Sequence, residues 1–209
     1  MLVMRQVKGG TACFMSYRTK QSLEDNIMKK IFTMVIAVMS MTLSYAQTAE
    51  EIEQSANRVA ELLKLEVPTQ TNLEAVDQLT ASVDDATKQV AANSQKMQDY
   101  YYRMIGTPKG EVTTVPTLEE WQALGSDIKA EKELIDVLPG KSEKAAASIV
   151  ELKDKATANP LKAAKVLKEV KKATEALNYS KKAIPMLGEE MAAQTKFVTS
   201  VIASMASGQ

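Results

Sequence analysis

Leu73, Val76, Thr80, Val83, Thr87, Val90, Ser94, Met97, Tyr101 and Met104 follow one another at alternating steps of three and four residues. That spacing lines one face of an α-helix, whereas strand side chains alternate with period two, so no strand can use it. Sustained over about four heptads, it predicts a long amphipathic helix over 73–105 that must lay its stripe against other helices. Leu79 and Ala86 widen the stripe, while Thr and Ser at alternate positions weaken any single seam. More than one partner helix is expected.

The rest of the chain supplies the partners. A first helix is predicted over 49–65, with Ile52, Ala56, Val59 and Leu63 as its apolar face and Pro68 beyond its end. Asn72 is the expected N-cap of the long helix. Residues 106–117 form the one long non-helical connection, with Val112–Val115 as its strand-like run. Thr117 followed by Glu120 matches a capping box, in which each side chain satisfies an otherwise unpaired backbone N–H. A third helix carries Trp121, Leu124, Ile128, Ile135 and Leu138, with Gly125 as a possible break. Pro139-Gly140 is read as a turn, with Ser142 capping a fourth helix that presents Ala146, Ile149, Leu152 or Lys153, and Ala156. After Asn159-Pro160 a last helix is predicted over 161–206. Its seam is read as Leu167, Val170, Thr174, Leu177, Lys181, Ile184, Gly188, Met191, Thr195, Val198, Ile202 and Met205, with a kink at Pro185. Aromatic residues make up only 5% of the chain, so Ala, Leu, Val and Ile must fill the interior, which suits helices packed closely side by side. The expected fold is all-α: an elongated antiparallel bundle of about five helices with coiled-coil-like packing.

Upstream of these helices, Met28-Lys29-Lys30, the apolar run Ile31 to Leu43 and Ser44-Tyr45-Ala46-Gln47 make the three-part pattern of a secretory signal peptide over 28–46. Residues 1–27 are read as an upstream extension outside the native protein or, alternatively, as a long basic n-region. The mature domain is then 47–209, exported to the periplasm, the cell surface or the medium. It contains no cysteine and no histidine, the single cysteine being Cys13. Disulfide staples, a Cys/His zinc site and any imidazole-based triad are therefore excluded from it. No metal or cofactor is expected.

Charge is unevenly distributed. Residues 47–136 carry 8 basic and 17 acidic side chains, net −9, and residues 137–209 carry 12 and 7, net +5. The lysine-rich region 141–182, with Lys162, Lys165, Lys168 and Lys172 as candidate anion-facing residues, is read either as a surface for an anionic partner or as a solvated face balanced within the bundle. Nucleic acid is not expected: Arg58 and Arg103 are the only arginines in the mature chain, and arginine is the preferred bidentate phosphate reader. Tyr100, Tyr101 and Tyr102 lie about 100° apart around a helix, so all three cannot face one core. With Trp121 they form a candidate interaction surface for a protein or glycan, or else cover the end of the bundle. Residues 197–209 are uncharged, with Phe197, Val198, Val201, Ile202 and Met205 in a stripe. That stripe suits packing within the bundle or, alternatively, insertion into an anionic membrane aided by the lysines.

Asp84-Asp85, Glu119-Glu120 and Glu189-Glu190 are adjacent pairs whose members point apart, so none makes a shared-proton dyad by itself. With no nucleophile–base pattern above chance, an enzyme is not expected. The sequence reading is an exported non-enzymatic bundle acting as a structural or partner-binding module. Its partners would be another protein or a second copy of itself, with an anionic membrane or a glycan as alternatives.

Overall fold

The computed structural model describes residues 49–158 and 163–207. The signal-peptide pattern, residues 1–27 and Lys162 lie outside the described residues. Residues 49–63 are helical and are labelled α1. They are followed by α2 (Glu74–Met104), α3 (Leu118–Asp136), α4 (Leu138–Ala158) and α5 (Ala163–Ser207). The protein is all-α, and no strand occurs among the described residues; Val112 and Val115 sit exposed in an irregular connection.

Direction follows from which residues meet. Trp121, early in α3, packs on Tyr100, late in α2, with ring centroids 5.1 Å apart, whereas Lys141, early in α4, reaches back to Ser82 at 2.7 Å. α3 and α4 therefore form one broken rod antiparallel to α2. α5 returns: Gln194 donates to the Val90 carbonyl at 3.0 Å and Phe197 packs on Tyr101. α1 runs against α5, with Glu51 paired to Lys196 and Arg58 to Glu190. Consecutive rods thus alternate in direction.

The α2 stripe emerges as the sequence predicts: Val76, Thr80, Val83, Thr87, Val90, Ser94, Met97 and Tyr101 are all buried. The buried threonines return their hydroxyl protons to the chain, Thr80 to Val76 O and Thr87 to Val83 O, so they sit in the core without an unpaired donor. The capping box also forms: Thr117 Oγ1 accepts from the Glu120 amide at 3.2 Å, and Glu120 accepts from the Thr117 amide at 2.7 Å.

Five local expectations are corrected. Asn72 does not cap α2; it adopts φ +63°, and Asp77 instead accepts from the Thr71 amide, the Thr71 hydroxyl and the Asn72 amide. Pro139-Gly140 is not a turn, because both lie in the first turn of α4, where proline loses no hydrogen bond it would otherwise make. On α1 the buried positions are Ile52, Ser55, Val59 and Leu62, while Leu63 is exposed. On α5, Val170, Leu177 and Val198 of the predicted seam are buried, but the continuous buried seam is displaced from it by one residue. It runs Ala173, Ala176, Ser180, Ala183, Leu187, Glu190, Gln194, Phe197 and Val201, and these small residues let α5 lie close to its neighbours. Pro185 lies within α5 without ending it.

Gly125, fifth of the corrected positions, does not interrupt α3. A Cβ there would meet Ile202 Cδ1 at 3.5 Å and Val198 Cγ1 at 3.6 Å, ordinary van der Waals distances. Gly125→Ala is expected to stabilise the fold by about 0.5–1 kcal/mol by restricting the unfolded chain. A urea midpoint unchanged or lowered in the variant would contradict this.

Candidate functional site: a buried polar layer

The apolar core is in two parts. The lower cluster contains Val59 and Leu62 of α1, Val76 to Val90 of α2, Ile135 and Leu138, Ala145 and Ile149 of α4, and Val170 to Leu187 of α5. The upper one contains Ile52, Met97, Tyr100, Tyr101, Trp121, Leu124, Ile128, Phe197, Val198 and Val201. Between them, every rod turns polar at the same level: Ser55 on α1, Asn93 and Ser94 on α2, Glu131 on α3, and Glu190 and Gln194 on α5, all buried.

The two carboxylates in this layer are treated differently. Glu190 is fully engaged. Ser55 and Gln194 donate to its Oε1, and Arg58 Nε donates to its Oε2 at 2.7 Å. Ser55 is in turn 2.8 Å from the Ser94 hydroxyl, which accepts from Gln98. Glu131 has one partner: Asn93 Nδ2 donates to its Oε2 at 2.7 Å, while its Oε1 has none. Burial pushes the Glu131 carboxyl up to about 7, opposed by the Asn93 hydrogen bond and helped by the nearby negative charge of Glu190. Gln194 Oε1 is a second buried acceptor without a donor. A pocket of about 140 Å³ opens beside the layer, lined by Ser55 and Arg58 together with Met97, Lys196 and Phe197.

The sequence-predicted residues fall elsewhere. Tyr100, Tyr101 and Trp121 are inside the upper cluster, and Tyr102 is half-buried with Lys109 Nζ 3.6 Å above its ring. Tyr102 therefore carries what exposed aromatic surface that group has. Lys165, Lys168 and Lys172 are exposed on α5. The two arginines are both committed: Arg58 to Glu190, and Arg103 to Asp99, Glu120 and the Thr114 carbonyl, which fastens the 106–117 connection to α2. Glu120, which accepts from both the Thr117 amide and Arg103, has its carboxyl held below the usual carboxylate range chiefly by the Thr117 backbone bond. Phe197, Val198 and Val201 are buried against α3 rather than presented to solvent.

Glu131 and Glu190 are the site residues the sequence reading missed. The signal was present: Trp121, Leu124, Ile128, Ile135 and Leu138 leave one seam position vacant between 128 and 135, and residue 131 fills it. Among the described residues, no group of three or more His, Cys, Asp or Glu side chains is placed to hold a metal ion. No described helix is long and apolar enough to cross a membrane. No protein-family model, curated protein or solved structure matches the chain.

Proposed function

We propose that the chain is an exported, non-enzymatic helical bundle that works as a structural or partner-binding module, its coiled-coil-like body presenting the lysine face of α5 to an acidic protein surface. The observation that carries this reading is the state of Lys165, Lys168, Lys171 and Lys172. All four are exposed, and among the described residues none lies within ion-pair distance of a carboxylate. Leu167, 57% exposed, sits among them, and an apolar side chain ringed by cations fits a protein interface better than a purely solvated face. Export rests on the 28–46 pattern. The membrane-active alternative requires the C-terminal stripe, and releasing it would dismantle the upper cluster that Phe197, Val198 and Val201 help to build.

Poly-L-glutamate serves as a stand-in for an acidic protein surface, and phosphatidylserine vesicles as the competing target. The wild-type protein is expected to bind the polypeptide with an affinity that falls as salt rises, because lysine charge drives the association. The triple variant Lys165→Glu, Lys168→Glu, Lys172→Glu is expected to lose at least tenfold in affinity with its helicity unchanged. Equal binding by the triple variant, or transfer of the wild type to vesicles in preference to the polypeptide, overturns the reading.

A further inference from the structure

We infer that Glu131 is a proton-operated latch: with its carboxyl protonated it closes the polar layer that joins α3 to α2 and α5, and with its carboxyl ionised it loosens α3 from them. The inference rests on the arrangement of donors and acceptors. Glu131 is fully buried, and each element packed against it offers it no cation. From α2 it meets the Asn93 amide, while Lys96 on the same helix is spent on Asp127 at 3.0 Å. From α5 the charged group is Glu190, a second carboxylate, whose own counterion Arg58 reaches in from α1. On α4 the nearest lysine of the first turns, Lys141, is tied to Ser82, and on α3 itself Lys132 pairs outward with Asp136.

An ionised Glu131 would therefore be a buried charge with a single hydrogen bond and a like charge in the same layer, the least favourable setting for a carboxylate. The neutral acid suits the site. Protonated at Oε1, the oxygen that accepts from no donor, the carboxyl gives the layer one more donor, and Gln194 Oε1 is a buried acceptor in the same layer that lacks one. Glu131 lies between Ile128, in the upper cluster, and Ile135, in the lower, so a change at this position acts on the anchoring of α3 in both. The proton needs a route, and the pocket that Ser55 and Arg58 line brings solvent to the edge of the layer.

The sign of the effect is fixed. The folded protein holds this proton more tightly than the unfolded chain does, so the contribution of this group to stability is fully present below about pH 4.5, falls as pH rises from there to about 7, and levels off above. The folding equilibrium constant is expected to drop by on the order of 100-fold across that window through this group. Trp121, the only tryptophan and fully buried on the same helix, reports the loosening as a red shift of its emission.

The test compares wild type with Glu131→Gln, which keeps the shape and removes the titration. Wild type should lose stability and shift its tryptophan emission to the red between pH 5 and pH 8, and the variant should do neither. Parallel profiles for the two proteins overturn the inference. Should the variant fail to fold, a carbon-13 titration of the glutamate carboxyls in the wild type decides instead. One carboxyl titrating near neutrality supports the latch, and all of them titrating in the ordinary carboxylate range overturns it.

Discussion

Trp121→Ala is expected to destabilise the protein by about 4 kcal/mol, the middle of the range for removing a large buried aromatic. The indole is fully buried. It stands edge-on to Tyr100 at 5.1 Å and tilted against Phe197 at 6.1 Å, so its loss empties the centre of the upper cluster and strips two rings of a neighbour. For a chain of this size that corresponds to a fall in Tm of about 8–16 °C, read by far-ultraviolet circular dichroism because the fluorophore is gone. The indole N–H has no hydrogen-bond partner, and leaving a buried donor unmade costs about 1–3 kcal/mol. Trp121→Phe removes that donor while keeping most of the ring, and is therefore expected to cost less than about 1.5 kcal/mol. Phenylalanine proving as damaging as alanine would contradict this account of the N–H.

Arg58→Ala is expected to cost about 3 kcal/mol. Glu190 is almost completely buried, and among the described residues Arg58 is its only cationic partner. Without it the carboxylate keeps only the Ser55 and Gln194 donors. Breaking a buried pair from one side typically costs about 3–5 kcal/mol, since a charge is left behind without compensation. The Arg58 side chain is 31% exposed, so water reaches the vacated space and the lower end of that range applies. The damage resides in the stranded charge rather than in the lost bond, and a double mutant separates the two. Adding Glu190→Gln to Arg58→Ala should return more than half of the loss. An additive double mutant would show instead that the packing of the arginine stem carries the stability.

Legibility from sequence followed the chemistry of each seam. The α2 stripe was readable in full because Val, Leu and Met recur at its core positions and its Thr and Ser residues keep step with them. On α5 the reading settled one residue away. The true seam is written in Ala173, Ala176, Ser180 and Ala183, whose small side chains carry little apolar signal, while Leu167 and Ile184 beside it attract attention by size. Lys181 and Gly188 on the predicted seam were the warning. The Pro139-Gly140 turn failed for another reason: proline and glycine punctuate a chain on average, yet the first turn of a helix accepts both. The polar layer was passed over because helix patterns are scored on apolar periodicity: the gap that Glu131 fills in the α3 seam was visible, but Glu131 and Glu190 count against a seam instead of marking a level in it. Only the convergence of polar residues from four helices, which no local pattern encodes, gives the two carboxylates their meaning.

That level also sets how the long helices line up end to end. Ala-, Val- and Leu-bearing seams repeating every seven residues tolerate sliding, because an apolar side chain displaced by one heptad meets another apolar one. Here a shift of α5 by one heptad would bring Ala183 or Phe197 to the height of Ser55, Ser94 and Asn93, and would drive Glu190 in among the aliphatic or aromatic residues above or below. Arg58 would lose its anion and the charge would enter hydrocarbon. A ring that contributes little net stability thus works as a key cut at a single height, admitting one vertical alignment of the rods and rejecting its neighbours.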